Sequence, residues 1–205
     1  MHDTTAGPND DALFSAASEQ GGYFTAAQAR SAGFSWALLS HHVKAGRFLR
    51  IRRGLYRFRE YPSSDREESM AAWLAAGAEE AVVSHESALE ILDLSDVVPD
   101  AVHLTVPRSR RYRPASPGVV VHTTTRPIRA DDVVVRDGIK VSAPTRAIVD
   151  AAETGTAPEQ IVAAVVQALD RGMTTELQLL SAARERGGRV ERLVMQAIED
   201  RRSAQ

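Results

Sequence analysis

The chain contains no cysteine. It can therefore hold neither a disulfide framework nor a thiolate zinc site. No apolar run approaches the ~18 residues that a bilayer span needs, so no membrane-spanning helix is expected. The opening MHDTTAGPNDD is acidic and polar, which argues against a secretory signal; a cytoplasmic location is the expectation. No Walker-type phosphate loop is present. The six histidines show no metal-ligand spacing, and the neighbours His41 and His42 point apart. No cofactor and no metal are expected. The most telling absence is local: residues 23–59 contain no Asp or Glu.

That acid-free stretch lies in a basic island. Residues 21–61 hold eight Lys or Arg and only Glu60 as acid, a net +7 in a chain whose total is −2. Residues 1–20 carry four acids and no base, and residues 62–205 carry 17 basic against 22 acidic residues. Such a local cation concentration is the electrostatic footprint of a nucleic-acid-binding surface. The near-neutral total hides it.

The patterning predicts α+β architecture: an N-terminal winged helix-turn-helix plus a C-terminal mixed domain with a small β-sheet and several helices. Residues 1–9 read as a flexible tail. Asp10 and Asp11 open a helix over 10–20, with Leu13, Phe14 and Ala17 at core spacing and Gly21-Gly22 as its stop. Thr25 caps a short helix, 25–32, closed by Gly33. Ser35 caps a third, 35–45, closed by Gly46. FLRIRRGLYRFR then alternates apolar and basic residues around Arg53-Gly54, a hairpin with one packed and one solvated face. The winged helix spans 10–61, YPSSD (61–65) is the linker candidate, and the second domain runs over 66–205. Helices are predicted over 66–77 and 84–94, the latter after the apolar run AVVS. Strands follow at 102–107, 118–124, 132–135 and 139–142. Helices close the chain over 144–153, 158–171, 174–186 and 189–202.

The third helix offers a reader for a DNA groove. Leu38, Leu39 and Val43 fall on one side. Ser40, His41 and Lys44 fall on the other, with Trp36 on the border, either a core aromatic or a contact for a thymine methyl. The helix fits a major groove, and it bears no carboxylate. Arg50, Arg52 and Arg53 on the hairpin, with Arg47 before it, can neutralise phosphates or enter a minor groove. Thr25, Ser35 and the free amides at the starts of their helices add phosphate donors. The competing reading is a solvated sheet edge protected by arginine. A solvated face normally mixes both signs, and this one has no acids. His42 leans inward as a structural histidine.

These residues carry a resemblance. Gly33-Phe-Ser-Trp-Ala-Leu-Leu39, Val43-Lys-Ala-Gly-Arg-Phe-Leu49 and Arg53-Gly-Leu-Tyr56 are similar to the winged helix of AbiEi-type antitoxins of type IV toxin–antitoxin systems. Ser84-His85-Glu86-Ser87-Ala88-Leu89, Val102-His-Leu-Thr-Val-Pro107, Asp137-Gly138 and Pro144-Thr-Arg-Ala-Ile-Val-Asp150 resemble the family's C-terminal region. The resemblance implies a non-enzymatic antitoxin that counters a nucleotidyltransferase-like toxin encoded beside it. It also implies repression of the shared promoter through inverted repeats, with antitoxicity in the C-terminal domain. Ala147 departs from relatives that often have Thr there. Some proteins with a similar front part carry a nuclease-like extension that would begin near residue 205, where this sequence stops, and this weighs against a nuclease.

Other constellations carry less. Ser84-His85-Glu86 contains triad residue types, but neighbours on a helix start do not face one another; Ser84 reads as an N-cap and His85 as a buried, satisfied histidine. Arg146 and Asp150 sit four apart as a helix pair. The loop PRSRRYRP sets Arg108, Arg110, Arg111 and Arg113 without an acid, either a solvated connection or a second anionic contact to DNA, RNA or an acidic toxin patch. Two alternatives stand beside the antitoxin: a ligand-responsive transcriptional regulator, and a nucleic-acid-processing enzyme remnant. The last requires clustered carboxylates in the C-terminal fold.

Overall fold

A computed structural model describes residues 7–110 and 116–203. It divides into two compact units, residues 1–78 with 137–139, and residues 79–136 with 140–205.

The first unit begins with α1 (Asp10–Ser18), β1 (Tyr23–Thr25), α2 (Ala26–Ser31) and α3 (Trp36–Lys44). The hairpin β2 (Phe48–Arg52) and β3 (Leu55–Phe58) follows, then α4 (Glu67–Ala76). Most of the expected tail lies outside the described residues. At its end Asn9 caps α1 by accepting from the Ala12 amide at 2.9 Å, and its own amide donates to the Ala32 carbonyl at 2.8 Å. Leu13 and Ala17 of α1 are buried as expected, whereas Phe14 is 51% exposed and meets the core edge-on at Phe58 and at a tilt on Tyr61. One residue of offset turns a helical side chain by about 100°, which takes Phe14 off the buried stripe.

Strand β1 was not expected. It makes the hairpin into a three-stranded sheet of order β1-β3-β2, antiparallel throughout. β3 is thus the middle strand, and all four of its residues are buried. The expected alternation of buried Tyr56 and Phe58 with solvated Arg57 fails for this reason: Arg57 is 6% exposed. Alternation also breaks in β2. Arg50 pairs with Tyr56 but Arg52 pairs with Leu55, so Ile51 is the extra residue of a β-bulge. It is 37% exposed instead of packed. Gly54 closes the turn with φ +78°, a conformation that side chains resist. Gly22 (φ +83°) has the Tyr61 ring lying where a Cβ would stand, and Tyr61 Oη donates to the Ser18 carbonyl at 3.1 Å. Helix α4 packs on β1 and β3, so this unit extends past the 61–65 segment read as a linker.

The second unit contains a five-stranded sheet of order β6-β5-β4-β8-β7. Its strands are β4 (Val82–Val83), β5 (Val102–Pro107), β6 (Val119–Thr124), β7 (Val133–Arg136) and β8 (Ile139–Ser142). The sheet is mixed: β5 runs parallel to β6, β4 antiparallel to β5 and parallel to β8. The helices are α5 (His85–Ile91), α6 (Pro144–Thr154), α7 (Pro158–Asp170), α8 (Glu176–Arg186) and α9 (Gly188–Ser203). Helix α6 packs against the other four and buries Ala147, Ile148, Ala151 and Ala152. Among the described residues no helix is long and apolar enough to cross a membrane.

Candidate nucleic-acid interface

Helix α3 starts where Ser35 Oγ accepts from the Leu38 amide at 3.1 Å, meeting one of the unpaired donors of the first turn. Its nine residues make a rod of about 13 Å. Leu39 anchors it in the core at 1% exposure, while Ser40, His41 and Lys44 are exposed. Trp36 is 58% exposed, with the Arg30 guanidinium 5.7 Å from its ring. It is not a core aromatic. His42 turns inward, its ring 5.1 Å from Phe48 and 5.9 Å from Phe34. Burial pushes its pKa down, and the nearby Arg47 and His41 push the same way.

Between α3 and the hairpin runs a groove of about 530 Å³. Trp36, Ser40 and Lys44 of α3 line one wall, and Arg50, Arg53 and Gly54 line the wing side. Five of the residues singled out from the sequence therefore converge on one concave surface. No carboxylate lines it. Among the described residues no ion pair involves Lys44, Arg50, Arg52 or Arg53. Arg52 is half-buried.

Two other candidates, Arg47 and Thr25, are engaged elsewhere. Arg47 pairs with Asp10 at 2.9 Å and lies over the rings of Phe48 and Phe58. The Thr25 hydroxyl is engaged within its own helix turn. Its Oγ1 lies 3.0 Å from Gln28 Oε1 and accepts from the Gln28 amide at 3.2 Å, a closed capping box. The Ala26 amide donates to the Gly54 carbonyl at 2.8 Å, so the start of α2 is largely satisfied internally. Arg57, counted in the basic island, is spent on Glu67 at 2.7 Å.

In the second unit Arg110 pairs with Glu80, and Arg108 is exposed on a short 3-10 turn. Arg111 and Arg113 lie outside the described residues. Carboxylates do gather: Asp150 lies between Arg146 (3.3 Å) and Arg186, Asp132 joins Arg146 at 3.1 Å, and Glu153 joins Arg186. Each is neutralised by arginine.

One cluster escaped the sequence reading. His85, His103 and His122 each present a ring nitrogen within 4.8 Å of the others. Ser84 does not cap α5 through its side chain. Its Oγ instead accepts from Thr105 Oγ1 at 2.8 Å and lies 2.8 Å from His85 Nδ1. Sequence spacing could not find this trio, because the parallel β5–β6 ladder that sets Thr105 opposite His122 is a tertiary fact.

Three helices, a three-stranded sheet and a wing facing the third helix define a winged helix-turn-helix protein. Residues 11–59 match the family model described as transcriptional regulator, AbiEi antitoxin. This match covers the winged helix and ends before α4. No curated protein matches the chain. Among solved structures, the RV2827C protein from Mycobacterium tuberculosis is similar, with a TM-score of 0.59 and 16% identity over 95% of this chain and 80% of that one. At that identity the likeness is one of fold.

Proposed function

We propose that this chain is an autoregulatory antitoxin. Its winged helix binds inverted repeats in the promoter it shares with a nucleotidyltransferase-like toxin, and its second unit supplies antitoxicity without catalysis. The observation that carries the DNA-binding half is the acid-free groove where Trp36, Ser40 and Lys44 face Arg50 and Arg53. In this reading α3 enters the major groove, where Ser40, His41 and Lys44 meet base edges, while Trp36 stacks on a thymine methyl. Arg50, Arg52 and Arg53 hold the backbone and fix register. Ser35, already the cap of α3, leaves that helix start near a phosphate. The antitoxin half rests on the family description alone.

Two assays on the full-length protein test it. A mobility shift with the DNA upstream of its gene reports operator binding. Co-expression with the neighbouring toxin reading frame reports rescue of growth. The R50A/R52A/R53A variant is expected to lose repression and keep rescue. No rescue by the wild-type chain would sink the antitoxin assignment, and no upstream binding would sink the repressor assignment.

A further inference from the structure

We propose that His85, His103 and His122 bind one divalent transition-metal ion of the zinc class. The three residues come from different elements: the first position of α5, the second residue of β5 and the middle of the edge strand β6. Their convergence is made by the sheet rather than by one short loop. His122 Nε2 and His103 Nδ1 lie 3.1 Å apart. Two nitrogens each about 2.0–2.1 Å from a tetrahedral zinc are separated by roughly 3.3 Å, so this pair already stands at ligand spacing. The His85 ring stacks on that of His122, centroids 3.6 Å apart and 16° from parallel.

The surroundings support the same reading. Ser84 Oγ, itself held by Thr105, engages His85 Nδ1 and leaves Nε2 as the nitrogen available to a metal. A hydrogen-bonded partner on the far ring nitrogen is what orients metal-binding histidines. His85 takes φ 54°, a left-handed conformation that non-glycine residues enter at a cost and that concentrates at functional sites. Burial holds the three rings neutral, with His85 pushed down to about 2 and His122 to about 4. Neutral imidazole is the form that donates to a metal.

The donor set chooses the ion. Three imidazoles without a carboxylate do not suit Ca²⁺ or Mg²⁺, which take oxygen ligands. They suit Zn²⁺, Co²⁺, Ni²⁺ or Cu²⁺. Three protein ligands leave a fourth position for water or an anionic group. A bound ion would cross-link edge strand β6 to α5 over β5.

The test uses untagged full-length protein stripped with chelator. Calorimetry with Zn²⁺ is expected to give one saturable site per chain. Co²⁺ is expected to give visible d–d absorption that Zn²⁺ displaces, whereas Mg²⁺ does neither. H122A and H103A are each expected to weaken Zn²⁺ at least tenfold, and S84A by roughly tenfold. Zn²⁺ should raise the melting temperature of wild type and not of H122A. An H122A protein that binds Zn²⁺ as tightly as wild type would overturn the proposal. So would a wild-type protein without a saturable 1:1 Co²⁺ spectrum, an outcome that depends on no variant folding. Either result would leave the trio as a neutral, stacked structural cluster. Operator binding, measured separately, is independent of the outcome.

Discussion

Arg57 on β3 donates from Nη2 to Glu67 Oε1 on α4 at 2.7 Å, and the same nitrogen reaches the carbonyls of Tyr61 and Pro62 at 3.0 Å. The guanidinium also lies 5.5 Å from the Tyr23 ring. A cation in this position serves stability. Glu67→Ala is expected to destabilise by about 1.5–3 kcal/mol, since the Arg57 side chain is 7% exposed and loses the carboxylate it pairs with. Arg50→Ala, at an exposed position, should stay within about 0.5 kcal/mol. Urea denaturation of the two variants checks the contrast; equal effects would contradict the separation of structural from binding arginines.

Removing Arg50, Arg52 and Arg53 together should lower the slope of log K against log salt by about two to three units. Affinity for operator and unrelated DNA should fall by similar factors. If the triple variant binds as well as wild type at moderate salt, the wing does not touch the backbone.

Ser40→Ala and His41→Ala should act differently. Each exposed α3 residue that meets a base edge carries about 1–3 kcal/mol of discrimination. The expected result is a flattened ranking across operator variants with little change in salt slope. Competition titrations with single-base operator substitutions measure it.

His42 supplies a pH dependence. Its pKa is lowered chiefly by burial, then by Arg47 and His41, with Asp10 opposing. The unfolded chain therefore takes up a proton at the ordinary histidine pKa of about 6.5, before the folded one does. Stability is fully present above that pH and is lost as pH falls below it. Thermal melts of His42→Leu should show a shallower decline between about pH 6.5 and 5 than wild type. A parallel decline would remove His42 as a contributor.

Asp150 stands between Arg146 and Arg186 with 5% of its side chain exposed. Burial pushes its carboxyl up, and the two guanidiniums pull it back. Asp150→Asn leaves two nearly buried cations short of a partner and should cost about 3 kcal/mol by denaturant melts. A loss below about 1 kcal/mol would show that Asp132 and Glu153 suffice.

The winged helix was legible because its signals are local. Thr25 and Ser35 do cap α2 and α3, and the helices end before Gly33 and Gly46 as read. What failed was non-local. Arg57 reads as solvated until β1 is known to place β3 in the middle of a sheet. Ile51 reads as packed until the bulge is seen. Thr25 looks like a free donor until Gln28 closes the capping box. The histidine trio needed the β5–β6 register, and a parallel crossover leaves no short-range trace in sequence.

The Arg47–Asp10 pair changes what Arg47 can contribute at a DNA surface. At 38% and 52% side-chain exposure it is a surface pair, worth little to stability. A phosphate arriving at Arg47 must displace a carboxylate that occupies the same position and carries the same sign. If the proposed DNA surface includes Arg47, Asp10 is an internal competitor there, a phosphate mimic supplied by α1. The pair as a whole brings no net positive charge to the backbone, because the Asp10 carboxylate stays beside Arg47. Arg47 should thus add less than the wing arginines to the salt dependence, and Asp10→Asn should tighten DNA binding instead of leaving it unchanged.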